Sequence, residues 1–505
     1  MPMLHTKTFH IPIDLQPEIC RSFKKPLVFY LAHKNDTRLF FYTFVILDFQ
    51  KKELGYIVSY LPENIAAVEN HPRSHFFRIN SMLANPHSVI QTRKAESFLV
   101  FFETAPFFFQ INYLKNTFQV HFGNILKKND NEIASSFSPT VFKDDRDSDF
   151  FYFSSLIKNR NTQKKDLRFY RSSLDLSEIK EIYSRSTMRT LTPHTTRKIS
   201  HFLVNSNFLN HQLKNLQTGK IFENIYLYSL YVYEALYEEY CKGKNIPYSK
   251  KDFKNKNRIS LQDWDIRLET EFAAFCLFKG KNLLDICKKN SAYSFSPVPG
   301  SILLIDLETK KESFSKTTFC APAHFEIDEK TGDIFISSHN FTITDRRHFF
   351  GPAAIDRFRL EDGGLVKIAT FSHSTGYRFT SHKVFSFKGK TYICTFGQPN
   401  RLFFIDAETM KLLFFEDIEV DLLSHQTDIS HFLNTIDLES FVMKAIEVSA
   451  DGQFIFFLSY DHMYFYSFPE KRIVQKIRFN EDISLDGGSS LADFYNITTH
   501  IGSLS

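Results

Sequence analysis

The sequence has few cysteines, and none of them form a CxxC pair. Structural zinc clusters and disulfide frameworks need closely spaced cysteines, so this pattern disfavours both. A reducing compartment is the simpler expectation, and we therefore expect a cytoplasmic protein. The six cysteines are Cys20, Cys241, Cys276, Cys287, Cys320 and Cys394.

Leader and membrane segments are also missing from the pattern. The N-terminal stretch MPMLHTKTFHIPIDLQPEIC has no basic start followed by an apolar run, so we expect no secretory signal. Apolar runs such as LFFYTFVIL end after about nine residues, whereas a membrane-spanning helix needs about 20. We therefore expect no transmembrane segment.

The chain lacks a strong charge of either sign and the common catalytic motifs. Its 62 basic and 57 acidic residues give a net charge of +5, which is too small over 505 residues to indicate a nucleic-acid partner. We find no G-x-G-x-x-G, phosphate-binding loop, H-E-x-x-H or G-x-S-x-G. A nucleotide cofactor and serine hydrolysis are therefore not expected.

The chain is rich in aromatic residues and contains an internal repeat. Its 57 phenylalanines and 22 tyrosines favour half-buried strands. The segments ILLIDLETKK (302–311) and LFFIDAETMK (402–411) lie one hundred residues apart, and AAIDRFRLEDGGLVKIATF (353–371) lies midway between them. Each segment reads as a strand, a short polar turn and a return strand. A period near fifty residues is typical of a propeller blade of four strands.

Seven such hairpins can be counted, so we predict an all-β fold, a seven-bladed β-propeller that spans residues 1–505. The remaining four are FVILDFQKKELGYIVSY (44–60), FFFQINYLKNTFQVHF (107–122), LRFYRSSLDLSEIKEIYS (167–184) and MYFYSFPEKRIVQKIRF (463–479). Upstream hairpins are also legible in the later blades. One of them, AIEVSADGQFIFFLS (445–459), resembles the strand-turn-strand units of WD-repeat and YVTN-type propellers, mainly over residues 300–480.

Residues 207–298 interrupt the repeat between the third and fourth hairpins. Ile225, Tyr228, Val232 and Leu236 recur at helical spacing, which predicts a helical insertion within blade four. A small separate domain is the alternative. The insertion also holds a lysine-rich stretch from Lys242 to Arg258, which reads either as a solvated loop or as a contact for a partner.

Histidines recur near the start of predicted inner strands, and these provide the one chemical motif. Residues at the same phase of several blades converge on the propeller axis, where imidazoles can bind Fe(II) or another first-row divalent metal. A histidine that opens a strand can equally be structural, by bonding to a neighbouring strand. The predicted ligands are His201, His324 and His382, with His75 as the fourth.

Two segments resemble the metal-binding motifs of carotenoid cleavage oxygenases. AHFEIDEKTGD (323–333) is similar to their A-H-P-K-x-D-x-x-T-G-E motif, and SHKVF (381–385) is similar to the strand of their second metal histidine. Phe325 replaces the proline of the motif, and Lys383 replaces the aspartate after the second histidine. The resemblance implies a seven-bladed propeller that holds iron on its axis with four histidines.

The sequence leaves two functions open. The first is a metal-dependent oxygenase of an apolar small molecule, with Glu326 orienting a ligand histidine and with its catalytic residues unknown. The second is a non-catalytic scaffold that binds a protein partner through its blade loops and the Lys-rich helical insertion.

Overall fold

The structure is a computed structural model of the full chain. It describes residues 3–33, 42–60, 86–94, 97–102, 107–113, 115, 117–126, 129, 131–137, 142–143, 147, 149–159, 165–187, 191–195, 201–206, 211–215, 221–222, 238, 241–242, 245, 247, 293–297, 300–306, 309–319, 321–328, 330–344, 347–377, 379, 381–397, 400–418, 445–459, 462–478, 494–496 and 501–503.

Strands account for most of the described residues in the first part of the chain. With one short helix, they are β1 (Met3–Pro12), α1 (Pro17–Ser22), β2 (Leu27–His33), β3 (Tyr42–Asp48), β4 (Glu53–Tyr60), β5 (Pro86–Gln91), β6 (Ser97–Phe102), β7 (Phe107–Asn112) and β8 (Thr117–Phe122). A 3-10 helix at Gly123–Leu126 precedes β9 (Glu132–Phe137), β10 (Phe142–Lys143), β11 (Phe150–Asn159), β12 (Lys165–Ser173) and β13 (Ile179–Thr187).

The same pattern continues to the end of the chain. The middle strands are β14 (Leu191–Thr195), β15 (His201–Ser206), β16 (His211–Asn215), β17 (Ile221–Phe222), β18 (Tyr293–Pro297), β19 (Ser301–Asp306) and β20 (Glu312–Lys316). The next are β21 (Ala321–Ile327), β22 (Ile334–Thr344), β23 (Arg347–Glu361), β24 (Gly364–Tyr377), β25 (His382–Phe387), β26 (Lys390–Gly397), β27 (Arg401–Asp406) and β28 (Lys411–Asp417). The last are β29 (Ile446–Val448), β30 (Phe454–Leu458), β31 (His462–Ser467), β32 (Arg472–Arg478), β33 (Phe494–Asn496) and β34 (Gly502–Ser503).

The strands form antiparallel sheets in the arrangement of a β-propeller, which confirms the predicted fold class. The largest sheet has ten strands in the order β33-β2-β3-β4-β1-β8-β7-β6-β5, with β34 also paired to β2. The next has five, β10-β11-β12-β13 with β9 beside β11. Four-stranded sheets follow: β14-β15-β19-β20, β21 to β24, β25 to β28 and β29 to β32. No helix among the described residues is long and apolar enough to cross a membrane.

The blade count differs from the prediction: within the described residues there are six large sheets rather than seven. The reason is strand β1, which pairs with β4 from His5 to Pro12 and also with β8 from Met3 to His5. This double pairing joins the first two predicted blades into the ten-stranded sheet. Because β1 is hydrogen-bonded to a strand on each side, the two predicted blades form one continuous sheet. The sequence pattern does not reveal this pairing.

The predicted hairpins are confirmed as neighbouring strands. The seven pairs are β3-β4, β7-β8, β12-β13, β19-β20, β23-β24, β27-β28 and β31-β32. The insertion lies between β15 and β19, which pair with each other. Its strands β16, β17 and β18 make a separate three-stranded sheet. The predicted helix from Ile225 to Leu236 lies outside the described residues.

Turn chemistry explains the repeated sequence around the hairpins. The carboxylate of Asp306 accepts the backbone N–H of Thr309 at 2.6 Å, and that of Asp406 accepts the backbone N–H of Thr409 at 2.7 Å. The residue after each threonine has a positive φ, 60° in one turn and 52° in the other. The aspartate thus fixes a tight turn that reverses the chain at the same place in each repeat.

The core lies between neighbouring sheets and is largely aromatic. Between the sheets of β25–β28 and β29–β32, for example, Phe404 stacks on Phe414 at 4.6 Å and on Tyr466 at 5.4 Å. Each fully buried phenylalanine contributes about 1.5–3 kcal/mol through the apolar surface removed from water. The many phenylalanines therefore fill the wedge-shaped spaces of the ring.

The last sheet packs against the first and closes the ring. Phe23, just after α1, stacks on Phe49 at 4.6 Å and lies 6.2 Å from Phe465 of β31. The hydroxyl of Ser22 donates to the carboxylate of Asp451 at 2.7 Å. Residues from the two ends of the chain therefore share one core.

Four outermost strands carry bulges at equivalent places, whereas β20 pairs with β19 without a register shift. In β13, β24, β28 and β32 the register shifts by one residue opposite the third strand of the sheet. Bulges twist an edge strand and interrupt its hydrogen-bonding pattern, which discourages pairing with another chain. In β24 and β28 the shift leaves Ile368 and Leu413 without a directly opposite residue.

We predict that Gly452→Ala lowers the free energy of unfolding by several kcal/mol. Gly452 has φ +70°, and an added Cβ would overlap the carbonyl oxygen of Ser386 in the neighbouring sheet. Gly389→Ala is the matched control, because φ is +81° there but nothing lies within 4 Å. The control should lose only the cost of the left-handed backbone, about 1–2 kcal/mol. If both variants lose the same free energy of unfolding in urea, the close approach of Gly452 to Ser386 contributes nothing to stability.

Candidate functional site

The predicted metal ligands do not all lie on the first strand of a sheet. His324 lies within β21 and His382 opens β25, and each of these is the first strand of its sheet. His201 opens β15, which is the second strand of its sheet rather than the first, so its predicted place on an innermost strand is wrong. His75 and the side chain of His201 lie outside the described part of the chain.

Two of these histidines meet at the boundary between neighbouring sheets. The rings of His324 and His382 cross edge to face, with centroids 4.8 Å apart. Both are buried. Nε2 of His324 lies 3.1 Å from a carboxylate oxygen of Glu326, two residues along the same strand. Glu326 thus contacts His324, and its predicted role in orienting a metal ligand stays a prediction.

The protonation of His382 follows from its partner. Its Nε2 lies 3.2 Å from the backbone carbonyl oxygen of Phe335, which can only accept, so Nε2 carries the proton. Burial lowers the pKa of His382 to about 4, so the ring is neutral at physiological pH. Nδ1 is then a lone-pair acceptor, and no hydrogen-bond donor reaches it within the described structure.

An ion-paired lysine links three consecutive first strands. The ammonium group of Lys383 lies 3.1 Å from Glu326 on β21 and 3.2 Å from Glu447 on β29. Although burial opposes the charge, the two carboxylates raise the pKa of Lys383. We call His324, Glu326, His382, Lys383 and Glu447 the inner cluster. Its ion pairs hold β21, β25 and β29 together around the axis.

The chemistry available to the inner cluster is mainly structural. Opposite Lys383, Cys394 is buried, and burial raises the pKa of its thiol, so it stays protonated and is a poor nucleophile. Within the residues that the structure describes, no three His, Cys, Asp or Glu side chains form a group able to hold a metal ion. His324 and His382 are two of four predicted ligands, so the metal site stays a prediction.

The sequence reasoning missed a second feature, on the outside of the ring. Five large apolar side chains are exposed among the described residues, and all five lie on outermost strands of three consecutive sheets. We call them the outer strip: Phe314 on β20, Val366 and Ile368 on β24, and Leu413 and Phe415 on β28. The exposed fraction reaches 59% for Phe314 and 46% for Leu413.

Arginines lie over the two aromatic rings of the outer strip. The guanidinium of Arg401 lies 4.2 Å from the centroid of Phe415, and that of Arg185 lies 5.3 Å from the centroid of Phe314. Each arginine is also paired with a carboxylate, Asp417 at 2.6 Å for Arg401 and Glu312 at 3.2 Å for Arg185. These pairs hold both rings in fixed orientations at the surface.

The sequence gives only an ambiguous signal for the outer strip. Strand β28 reads KLLFFED, which is apolar on both faces, whereas a strand with one solvated face alternates. Two apolar faces indicate a central strand when the neighbours are unknown. Only the sheet order shows that β28 is an outer strand and that Leu413 and Phe415 face solvent.

Comparisons with known proteins identify no family for this chain. No family model matches the chain, and no curated protein matches it either. The resemblance to carotenoid cleavage oxygenases therefore finds no support there. A search of solved structures finds the crystal structure of Sqt1 from Saccharomyces cerevisiae, with 7% sequence identity and a TM-score of 0.41. The match covers 79% of this chain and 76% of that chain. A likeness of this degree supports no inference about function.

We predict that His382 makes the fold sensitive to acid. Its pKa is about 4 in the folded protein and about 6.5 in an unfolded chain, so only the unfolded state takes up the proton between these values. The free energy of unfolding therefore falls by about 1.4 kcal/mol per pH unit as the pH drops from 6.5 to 4. Above pH 6.5 this contribution is fully present.

The control is His382→Asn, which keeps an N–H donor near Phe335 and cannot titrate. Urea unfolding between pH 7.5 and 4.5 should give a shallower decline for this variant than for the unaltered protein. Other titrating groups, including the buried His121, are common to both proteins and cancel in the difference. Parallel curves would contradict the assignment of a neutral, buried His382.

Proposed function

We propose that this protein is a non-catalytic interaction platform that binds a protein partner on the outer strands of its propeller. The outer strip is the observation that supports this proposal most directly. Its five exposed apolar side chains lie on the outermost strands of three consecutive sheets, and exposed apolar surface marks an interaction site where it is contiguous. Aromatic residues and arginine are enriched at such interfaces, and Phe415 beneath Arg401 provides both.

The mode of contact follows from the bulges. An outer strand offers free backbone groups that a partner strand can pair with, but the bulges at Ile368 and Leu413 interrupt that edge. We therefore propose that the partner packs on side chains and does not extend the sheet. The Lys-rich stretch from Lys242 to Arg258, predicted to contact a partner, lies largely outside the described residues.

A metal-dependent oxygenase is the weaker hypothesis. The adjacent rings of His324 and His382 supply two imidazoles, but Nε2 of each already lies at hydrogen-bonding distance from Glu326 or Phe335. A resident iron needs further ligands from His201 and His75. Because those side chains lie outside the described residues, we base no function on this cluster.

We predict that the double variant Leu413→Ser and Phe415→Ser loses partner binding but remains folded. A photo-crosslinking amino acid at position 413 should capture a discrete partner, whereas the same group at Lys180 on outer strand β13 should not. Calorimetry with that purified partner should then show binding at least tenfold weaker for the double variant, because truncating a central apolar contact costs more than about 1 kcal/mol.

The matched control is Lys180→Ser with Lys476→Ser, two exposed positions on the outer strands β13 and β32. It should bind like the unaltered protein. Thermal unfolding of both double variants should shift by little, since exposed substitutions change stability by about 0.5 kcal/mol or less. Undiminished affinity of the Leu413 and Phe415 variant for the captured partner would refute the proposal.

A further inference from the structure

One end of the propeller carries two turns of each of the sheets β21–β24, β25–β28 and β29–β32. Antiparallel strands alternate in direction, so the turn between the first and second strands lies at the same end as the turn between the third and fourth. The segment 13–26, which contains α1, also lies there, because the backbone N–H of Ile13 donates to the carbonyl of Lys52 in the turn between β3 and β4.

The turns of three neighbouring sheets form what we call the basic arc. These are the ten-stranded sheet and the sheets of β25–β28 and β29–β32, which pack against one another around the ring. The arc consists of residues 13–26, 49–52, 92–94, 113, 115, 388–390, 407–411, 449–453 and 468–472.

Exposed cations greatly outnumber exposed anions in the basic arc. Thirteen lysines and arginines are exposed there: Arg21, Lys24, Lys25, Lys51, Lys52, Arg93, Lys94, Lys115, Lys388, Lys390, Lys411, Lys471 and Arg472. Five carboxylates are exposed: Asp14, Glu18, Glu408, Asp451 and Glu470. The excess of eight positive charges is larger than the net charge of +5 for the entire chain. Positive charge is therefore concentrated in the basic arc.

Three lysines of the basic arc have a left-handed backbone, as does the uncharged Met410 in the same arc. Lys52, Lys388 and Lys471 have φ of 52°, 48° and 51°. In this left-handed region glycine, asparagine and aspartate are the favoured residues, and another side chain costs roughly 1–2 kcal/mol.

The chemistry of the arc favours a carboxylate partner over a nucleic acid. Its three arginines, the groups best suited to phosphates, lie within 2.8 Å of carboxylate oxygens of Glu18, Asp149 and Glu470. Three of the four aromatic rings of the arc are buried and offer no surface for base stacking, namely those of Phe23, Phe49 and Phe468 but not that of Tyr113. What the arc presents is a set of lysine point charges interspersed with a few carboxylates.

We infer that the basic arc is a second docking surface, which takes an acidic segment of a protein partner. This rests on the proposed function, because it supplies the platform with an electrostatic contact in addition to the apolar outer strip. Such a contact steers association and weakens with salt, since exposed charges are screened over about 10 Å at 0.1 M ionic strength.

The test uses the full chain and a peptide of twenty glutamates as the probe. At low ionic strength the peptide should bind, and raising the salt from 50 to 200 mM should weaken binding. Replacing Lys24, Lys25, Lys52 and Lys471 with glutamine should reduce the affinity at least tenfold. A control with the same loss of charge, at the exposed Lys180, Lys311, Lys316 and Lys330, should leave binding unchanged.

Three outcomes would overturn the inference. Equal losses in the two variants would show attraction to net charge alone, and no loss in the arc variant would place the peptide elsewhere. Tighter binding of duplex DNA or of phosphatidylserine vesicles than of the peptide would assign the arc to another class of partner. The Leu413→Ser and Phe415→Ser variant should still bind the peptide, so failure of this inference is distinguishable from failure of the outer strip.

Discussion

Strand β2 pairs with β3 on one side and with β33 and β34 on the other, so the two ends of the chain share one set of backbone hydrogen bonds. Each of the six large sheets buries apolar side chains on both faces, because each has a neighbouring sheet on either side. An open ring would expose the core around Phe23 and Phe465 to water. The pairing of the chain ends is therefore the constraint on which the remaining packing depends.

Closure of the ring also determines which of its surfaces remain available to a partner. On the inner strands Lys383 is paired with Glu326 and Glu447, and sheet faces are filled by aromatic side chains. The outer strands and the turns remain, and these hold the exposed apolar residues and the excess of lysines. The two surfaces differ in chemistry, one apolar and one cationic, so a partner with an apolar segment beside an acidic one would suit both.

Much of the fold could be predicted from the sequence, because its turns are local. Asp306 and Asp406 fix their turns through bonds to residues three positions away, and the resulting repeat marks the hairpins. The fusion of the first two blades could not be predicted, since it depends on β1 pairing with β8, far along the chain. Long-range pairing of this kind leaves no periodic signal.

The candidate sites, like the fold, could be predicted from the sequence only in part. His324 and His382 share a phase of the repeat and lie side by side on neighbouring first strands, while their role as metal ligands stays a prediction. The phase of the repeat misplaced His201, since the similar local sequence there opens a second strand. The outer strip could not be identified from the sequence, because the exposure of Phe415 depends on which strand lies outermost.

Closure by the chain ends can be tested most directly with a double-mutant cycle between Phe23 and Phe465, whose rings lie 6.2 Å apart. Each is replaced by leucine, singly and together, and the free energy of unfolding is measured for all four proteins. Aromatic pairs in contact couple by about 0.5–1.5 kcal/mol, so the account predicts a coupling energy in this range. Additivity of the two substitutions within about 0.3 kcal/mol would show that the chain ends do not share a core, and would contradict it.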